Sequence, residues 1–138
     1  MDEVPTPDDL LAVASFVAQF DAPEFVVGEW HAPTTRDDGV IEIGYWSPSG
    51  VVIEWNRALY DHHIIDPGSD YLADDNVALV NAAIADPSLI AGLDLDTLQR
   101  VLTFLARAER HTGGDWFEHA FASGMAQAAT RRLGKLAD

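Results

Sequence analysis

The sequence predicts an α+β protein that is mostly helical, with about five helices and one β-hairpin near residues 25–46. Apolar residues recur every three or four positions over most of the chain, which is typical of amphipathic helices. Residues 25–31 and 40–46 are instead rich in β-branched and aromatic residues, and the turn pair Asp38-Gly39 lies between them. No repeat or change of composition divides the chain, so we expect one domain over residues 1–138.

The first half of the chain carries two helix-start signals. Thr6 and Pro7 are typical of an N-cap and a first helical residue, and the two acids that follow suit a helix N-terminus. One apolar stripe predicts a helix over residues 10–20, with the members Leu10, Val13, Ala14, Val17 and Phe20. Ser49 begins a second predicted helix, which runs to about His63.

The second half of the chain is predicted to be wholly helical, with helices at about 74–85, 95–111 and 115–133. The double glycine at 113 and 114 separates the last two. Small residues recur at intervals of four in the last helix: Ala120, Gly124 and Ala128. We expect this stripe to lie against another helix, so that a larger side chain at Gly124 would overpack the contact.

The charge balance excludes several classes of protein. The chain has 8 basic and 23 acidic residues, a formal net charge of −15, and no cysteine. So few basic residues cannot form the positive patches that nucleic acid binding requires. The lack of cysteine excludes thiol catalysis and Cys-ligated zinc, and the acidic N-terminus and short apolar runs predict a cytoplasmic protein without membrane segments.

Three interpretations of the acidity are open: the composition of a GC-rich genome, adaptation to high salt, and mimicry of nucleic acid toward a basic partner. The acids are dispersed, often in pairs such as Asp8-Asp9 and Asp74-Asp75. A nucleic-acid mimic would instead favour long acidic runs, so the dispersed pattern favours the first interpretation.

Glu109 occupies an unexpected position in the predicted helix 95–111. On a helical wheel it falls within the apolar arc formed by Leu98, Leu102 and Leu105. A carboxylate buried there needs a partner, which we expect to be an arginine or the backbone amides near the double glycine. A structural role and a ligand-binding role for Glu109 both stay open.

The same segment resembles the signature of an uncharacterised bacterial domain family, R-x-E-R-[FH]-x-x-G. The matching residues here are Arg107, Glu109, Arg110, His111 and Gly114. Similar short matches upstream are Gly28-Glu29-Trp30, Gly39-Val40-Ile41 and Ala58-Leu59-Tyr60-Asp61. His111 stands where the family more often has Phe. The resemblance implies no activity, because none is attached to that family.

No motif for catalysis, cofactor binding or metal binding is recognised. The five histidines lack the H-E-x-x-H spacing of a zinc site, and no serine lies in a G-x-S-x-G motif. We therefore expect no cofactor and no metal. The aromatic residues are more typical of a core than of a ligand cage: Trp30, Tyr45, Trp46, Trp55, Tyr60 and Trp116. If they formed a cage, the acidic surface would favour a cationic ligand or a basic partner.

Two functional hypotheses follow. The first is a non-enzymatic binding or regulatory protein that acts through contact with a protein partner or a second copy of itself. The alternative is an enzyme or small-ligand binder with a polar site around Glu109, Arg110 and His111, with Trp30 and Arg107 nearby. A concave site lined by these residues favours the alternative, and a filled core with Glu109 clamped by an arginine favours the first.

Overall fold

The computed structural model describes residues 4–66, 68, 70, 72–110 and 114–138. This part of the chain is α+β, with seven α-helices, one 3-10 helix and four short strands, so the expected count of about five helices is wrong. The elements in chain order are α1 (Pro7–Ala14), α2 (Val17–Phe20), β1 (Gly28–His31), β2 (Thr34–Thr35), β3 (Ile41–Glu42), β4 (Tyr45–Pro48), α3 (Gly50–Asp61), α4 (Asp74–Ala85), the 3-10 helix (Pro87–Gly92), α5 (Leu95–Glu109), α6 (Asp115–Ser123) and α7 (Met125–Leu136). Among the described helices, none has the length and apolar character needed to cross a membrane.

Two predicted helices are each divided in the structure. The stripe over residues 10–20 is interrupted at Ser15 and Phe16, which separates α1 from α2. The helix predicted from 115 to 133 ends at Gly124, whose φ of 90° places it in the left-handed region between α6 and α7. A β-carbon at Gly124 would meet no atom within 4 Å, so the expected overpacking at this position is wrong. Glycine is needed there for its backbone conformation.

The predicted helix starts at Thr6 and Ser49 are confirmed. The Thr6 hydroxyl accepts from the Asp9 amide at 3.2 Å, and the Asp9 carboxylate accepts from the Thr6 amide at 2.9 Å, which together form a capping box. The Ser49 hydroxyl accepts from the Val52 amide at the start of α3. Local side-chain chemistry therefore fixes where both helices begin.

The core lies between α7 and the helices that surround it. Trp55 of α3 is completely buried, and its indole Nε1 donates to the Thr130 hydroxyl of α7 at 3.1 Å. Three aromatic rings from two other helices, α2 and α6, pack edge-on against Trp55: Phe20, Phe117 and Phe121. The hydrogen bond satisfies the polar end of a large apolar side chain, which is what burial of tryptophan requires.

The predicted hairpin is present as two successive antiparallel strand pairs. β1 pairs with β4, and β2 pairs with β3 nearer the turn. The regular ladder is interrupted between the pairs, where Pro33 lacks an amide to donate. At the root of the hairpin, pairing extends to Pro48, two residues beyond the predicted end at residue 46.

Asp9 gives the fold a specific acid sensitivity. The Thr6 amide and then the His62 ring, 3.0 Å away, hydrogen-bond the carboxylate and lower the pKa of Asp9 from 3.8 to about 2. The charged form is favoured in the folded state, so its contribution to stability is complete above pH 3.8 and is lost as the pH falls toward 2.

We expect Asp9→Asn to lose less stability than the parent protein between pH 4 and pH 2, measured by urea unfolding. Asp8→Asn, which removes none of these bonds, is the control; equal pH dependence in the Asp9 variant and the parent would refute this role.

Replacement of Gly124 by alanine tests the left-handed helix junction. We expect Gly124→Ala to lower the free energy of unfolding by about 1–2 kcal/mol, because a β-carbon disfavours this backbone conformation. Gly50→Ala is the matched control, since Gly50 lies in α3 with open space around it and alanine favours helix. Unfolding curves that rank the two variants in the opposite order would contradict this explanation.

Candidate binding surface on the hairpin

The outer half of the hairpin is exposed on both faces. Every residue from 32 to 43 is exposed. Six of the eleven large apolar side chains exposed in the described part of the chain lie between residues 26 and 45: Val26, Trp30, Val40, Ile41, Ile43 and Tyr45. Ile43 is 86% exposed and Ile41 is 68% exposed. An apolar cluster of this kind marks an interaction surface, because solvent contact with it is unfavourable.

A concavity of about 440 Å³ lies on this hairpin, and we call it the hairpin hollow. Its lining combines aromatic, apolar and acidic side chains: Glu29, Trp30, His31, Ala32, Thr34, Glu42, Ile43 and Tyr45. Trp30, one of the predicted site residues, is 63% exposed here. The hollow is thus formed from both arms of the hairpin.

Cross-strand contacts order one wall of the hairpin hollow. His31 lies opposite Tyr45 in the β1–β4 pair, and the two rings stack with centroids 4.5 Å apart. The His31 Nε2 atom is also within hydrogen-bond distance of the Ser47 hydroxyl, at 2.8 Å. These contacts restrict the His31 and Tyr45 side chains, so part of the surface is formed before any partner binds.

The charges in the hairpin hollow are negative. Arg36 is the one basic residue in 28–48, and it pairs with Asp38 at 3.5 Å and with Glu42 at 3.8 Å. Glu29 forms no ion pair with a lysine, arginine or histidine in the described part of the chain. Carboxylates beside aromatic rings attract an ammonium or guanidinium group, through charge and through the ring faces.

The root of the hairpin is anchored by Trp46. A β-carbon at Gly28 or at Gly114 would overlap the Trp46 ring, so this half-buried indole packs directly on two glycine backbones. Gly114 also has a φ of 109°, which an L side chain rarely adopts. Glycine at 114 therefore allows both the turn before α6 and the close approach of Trp46.

Glu109 ends α5 and holds the start of α6. Its Oε2 atom accepts hydrogen bonds from the Trp116 and Phe117 amides, both at 3.1 Å. Gly114, the N-cap of α6, has no side chain for this purpose, so the carboxylate of the preceding helix takes its place. Backbone amides beyond the double glycine were one of the two expected kinds of partner for this half-buried carboxylate.

Arg110 lies beside Glu109 and contacts α3. Its Nη2 atom donates to the Tyr60 hydroxyl at 2.8 Å, and its guanidinium carbon is 5.3 Å from the centre of the Tyr60 ring. Glu109 and Arg110 line a second concavity of about 290 Å³ beneath Trp46. Trp30 lines the hairpin hollow and not this second concavity.

Two predicted site residues remain, Arg107 and His111, and the other histidines were weighed as possible metal ligands. Arg107 is half-buried on α5, and His111 lies outside the described residues. His62 contacts Asp9 and His119 is exposed. A search of the described residues finds no group of three or more His, Cys, Asp or Glu side chains arranged to hold a metal ion.

Sequence reasoning did not single out the acidic and imidazole members of the hairpin hollow as site residues: Glu29, His31 and Glu42. A usable signal was present in the predicted hairpin. Two strands alone cannot bury apolar side chains on both faces, yet the segment 40–46 carries them on both. That excess indicates that some of these apolar side chains stay exposed.

Comparison with known proteins gives one match. The sequence profile of a family described as being of unknown function, DUF6508, matches residues 5–138. No curated protein and no solved structure matches the chain. The match confirms the resemblance to an uncharacterised domain family, and the R-x-E-R-[FH]-x-x-G signature itself stays a prediction.

Removal of the Glu109 carboxylate tests its role at the start of α6. We expect Glu109→Gln to lower the free energy of unfolding by about 1–2 kcal/mol, because one charged acceptor becomes neutral. Glu109→Ala leaves two amides without this acceptor, and its loss should be larger, about 2–4 kcal/mol. Thermal melting compares both variants with Glu54→Gln, an exposed control on α3. An unchanged midpoint for Glu109→Ala would rule out the capping role.

Proposed function

The chain belongs to this family of unknown function, and we propose that it is a non-enzymatic binding protein that holds a basic protein partner on its hairpin. One observation carries the proposal: the hairpin hollow combines exposed apolar side chains with acidic and aromatic groups on a two-stranded element. A two-stranded hairpin is at most marginally stable in water. A partner that covers its outer half would remove this apolar surface from water.

The apolar residues supply most of the expected binding energy. Full burial of a side chain such as Ile41 or Ile43 is worth about 1.5–3 kcal/mol each. Trp30 and Tyr45 add large, rigid contact surfaces of the kind that dominates protein interfaces. Three of these four residues, Trp30, Ile43 and Tyr45, line the hairpin hollow together with the acids Glu29 and Glu42.

The acids of the hairpin determine which partner fits. Residues 28–48 contain four acids and one arginine, so their formal charge is 1 − 4 = −3, within a chain of net charge −15. Two copies of this chain repel each other, whereas a lysine or arginine of a basic protein would enter the hairpin hollow favourably. The same charge disfavours nucleic acid as the partner.

Site-specific cross-linking tests this proposal. A photoreactive residue at Ile43 should form an adduct with another protein in lysate, and about 0.5 M NaCl, where the Debye length is only about 4 Å, should weaken it. The double variant Glu29→Gln with Glu42→Gln should weaken the adduct at least as much as salt does, without changing the melting temperature, because both side chains are exposed. The same photoreactive residue at Leu89, an exposed apolar position on the 3-10 helix, is the matched control and should give no such adduct.

Three outcomes would reject the proposal. The first is an adduct of twice the mass of the chain, which would identify a second copy. The second is an adduct that forms as well in the double glutamine variant as in the parent, or equally well from position 89. The third is the absence of any adduct from position 43.

A further inference from the structure

In contrast to the acidic hairpin hollow, a groove lined by basic residues lies between α7 and the 3-10 helix; we call it the basic groove. It has a volume of about 300 Å³, and three of the eight basic residues of the chain line it together with small apolar residues. The lining residues are Pro87, Ser88, Ala91, Ala128, Arg131, Arg132 and Lys135. The α7 sequence has no acidic residue, so this helix carries a formal charge of +3 in a chain of net charge −15.

The three cations differ in their partners. Arg131 is neutralised by Asp21, whose two carboxylate oxygens are both 2.6 Å from its Nη2 atom. Neither Arg132 nor Lys135 pairs with an acidic side chain among the described residues. Asp86, the acid next to the 3-10 helix, is instead engaged by the amide and hydroxyl of Ser88. Two cations three positions apart on α7 thus have no ion-pair partner among the described residues, although acids outnumber bases almost threefold in the sequence.

The position of Arg132 is fixed by another element. Its Nε atom donates to the Leu93 carbonyl at 2.9 Å, just after the 3-10 helix, and it is half-buried. Lys135 lies in the last turn of α7, where a cation suits the helix dipole, but Arg132 lies a turn earlier. The dipole therefore accounts for Lys135 alone. Arg132 is held with its terminal nitrogens available at the groove.

We propose that the basic groove binds a small amphipathic anion, a carboxylate, sulfonate or phosphate on a compact apolar body. Arg132 and Lys135 hold the anionic group, because a guanidinium fork and an ammonium both donate charge-assisted hydrogen bonds. Pro87, Ala91 and Ala128 form the apolar wall for the body of the ligand. This site is independent of the hairpin and of any protein partner held there.

A matched pair of fluorescent probes tests the basic groove. Anilinonaphthalenesulfonate carries the sulfonate, and phenylnaphthylamine has nearly the same aromatic body without it. The sulfonate should bind at one site, with amide chemical-shift changes at 87–92 and 128–135, and should bind more tightly than the neutral probe. Arg132→Gln should weaken sulfonate binding about tenfold or more through loss of charge-assisted hydrogen bonds. Neutral-probe binding should not change.

Lys135→Gln is a second variant on an exposed side chain and should weaken sulfonate binding without affecting the fold. Arg57→Gln, an exposed arginine on α3, is the control and should leave binding unchanged. The proposal fails if the shifts map to residues 40–45 of the hairpin, if both probes bind equally, or if neither the Arg132 nor the Lys135 variant binds more weakly than the control.

Discussion

The hydrogen bonds from the Trp116 and Phe117 amides to the Glu109 carboxylate are the interaction on which the binding surface depends. They join the end of α5 to the first turn of α6. This link fixes the position of Gly114, and the Trp46 ring packs against the Gly114 backbone, where a β-carbon would block it. A carboxylate on the helical core thereby determines where the root of the hairpin can attach.

The buried helical core and the exposed outer half of the hairpin are separate parts of the fold. The helical core buries its aromatic rings around Trp55, and among the described residues of 28–48 Trp46 is the hydrophobic residue that packs against it. The outer half of the hairpin, residues 32–43, is exposed. Charge is separated in the same way, since the hairpin is acidic and α7 is basic. The two surfaces suit ligands of opposite sign.

Local chemistry made part of this structure predictable. The caps at Thr6 and Ser49 and the inward position of Glu109 depend on neighbours within a few residues, and the sequence patterns identify them. The break at Gly124 was missed because a small residue four positions from two alanines is equally typical of close helix packing. Only the φ angle at Gly124 distinguishes a helix break from close helix packing, and the sequence signals a positive φ by nothing except glycine itself.

Tertiary packing made the site harder to predict. Trp30 and Trp46 are direct partners in the strand pair and so share one face of it, and the sequence pattern does not say which of the two rings reaches the helices. The prediction placed Trp30 near Glu109, whereas Trp46 is the residue that reaches the concavity lined by Glu109. The acids of the hairpin hollow come from both arms of the hairpin, so their proximity depends on a register that composition cannot supply.

Trp46 anchors a hairpin whose outer half is exposed. Amide hydrogen exchange on Trp46→Ala, compared with the parent protein, measures how far the hairpin depends on this anchor. We expect faster exchange in 28–31 and 45–48, with α5 and α6 as protected as in the parent. Unchanged protection of the hairpin root, or equal loss of protection in α5 and α6, would contradict this role of Trp46.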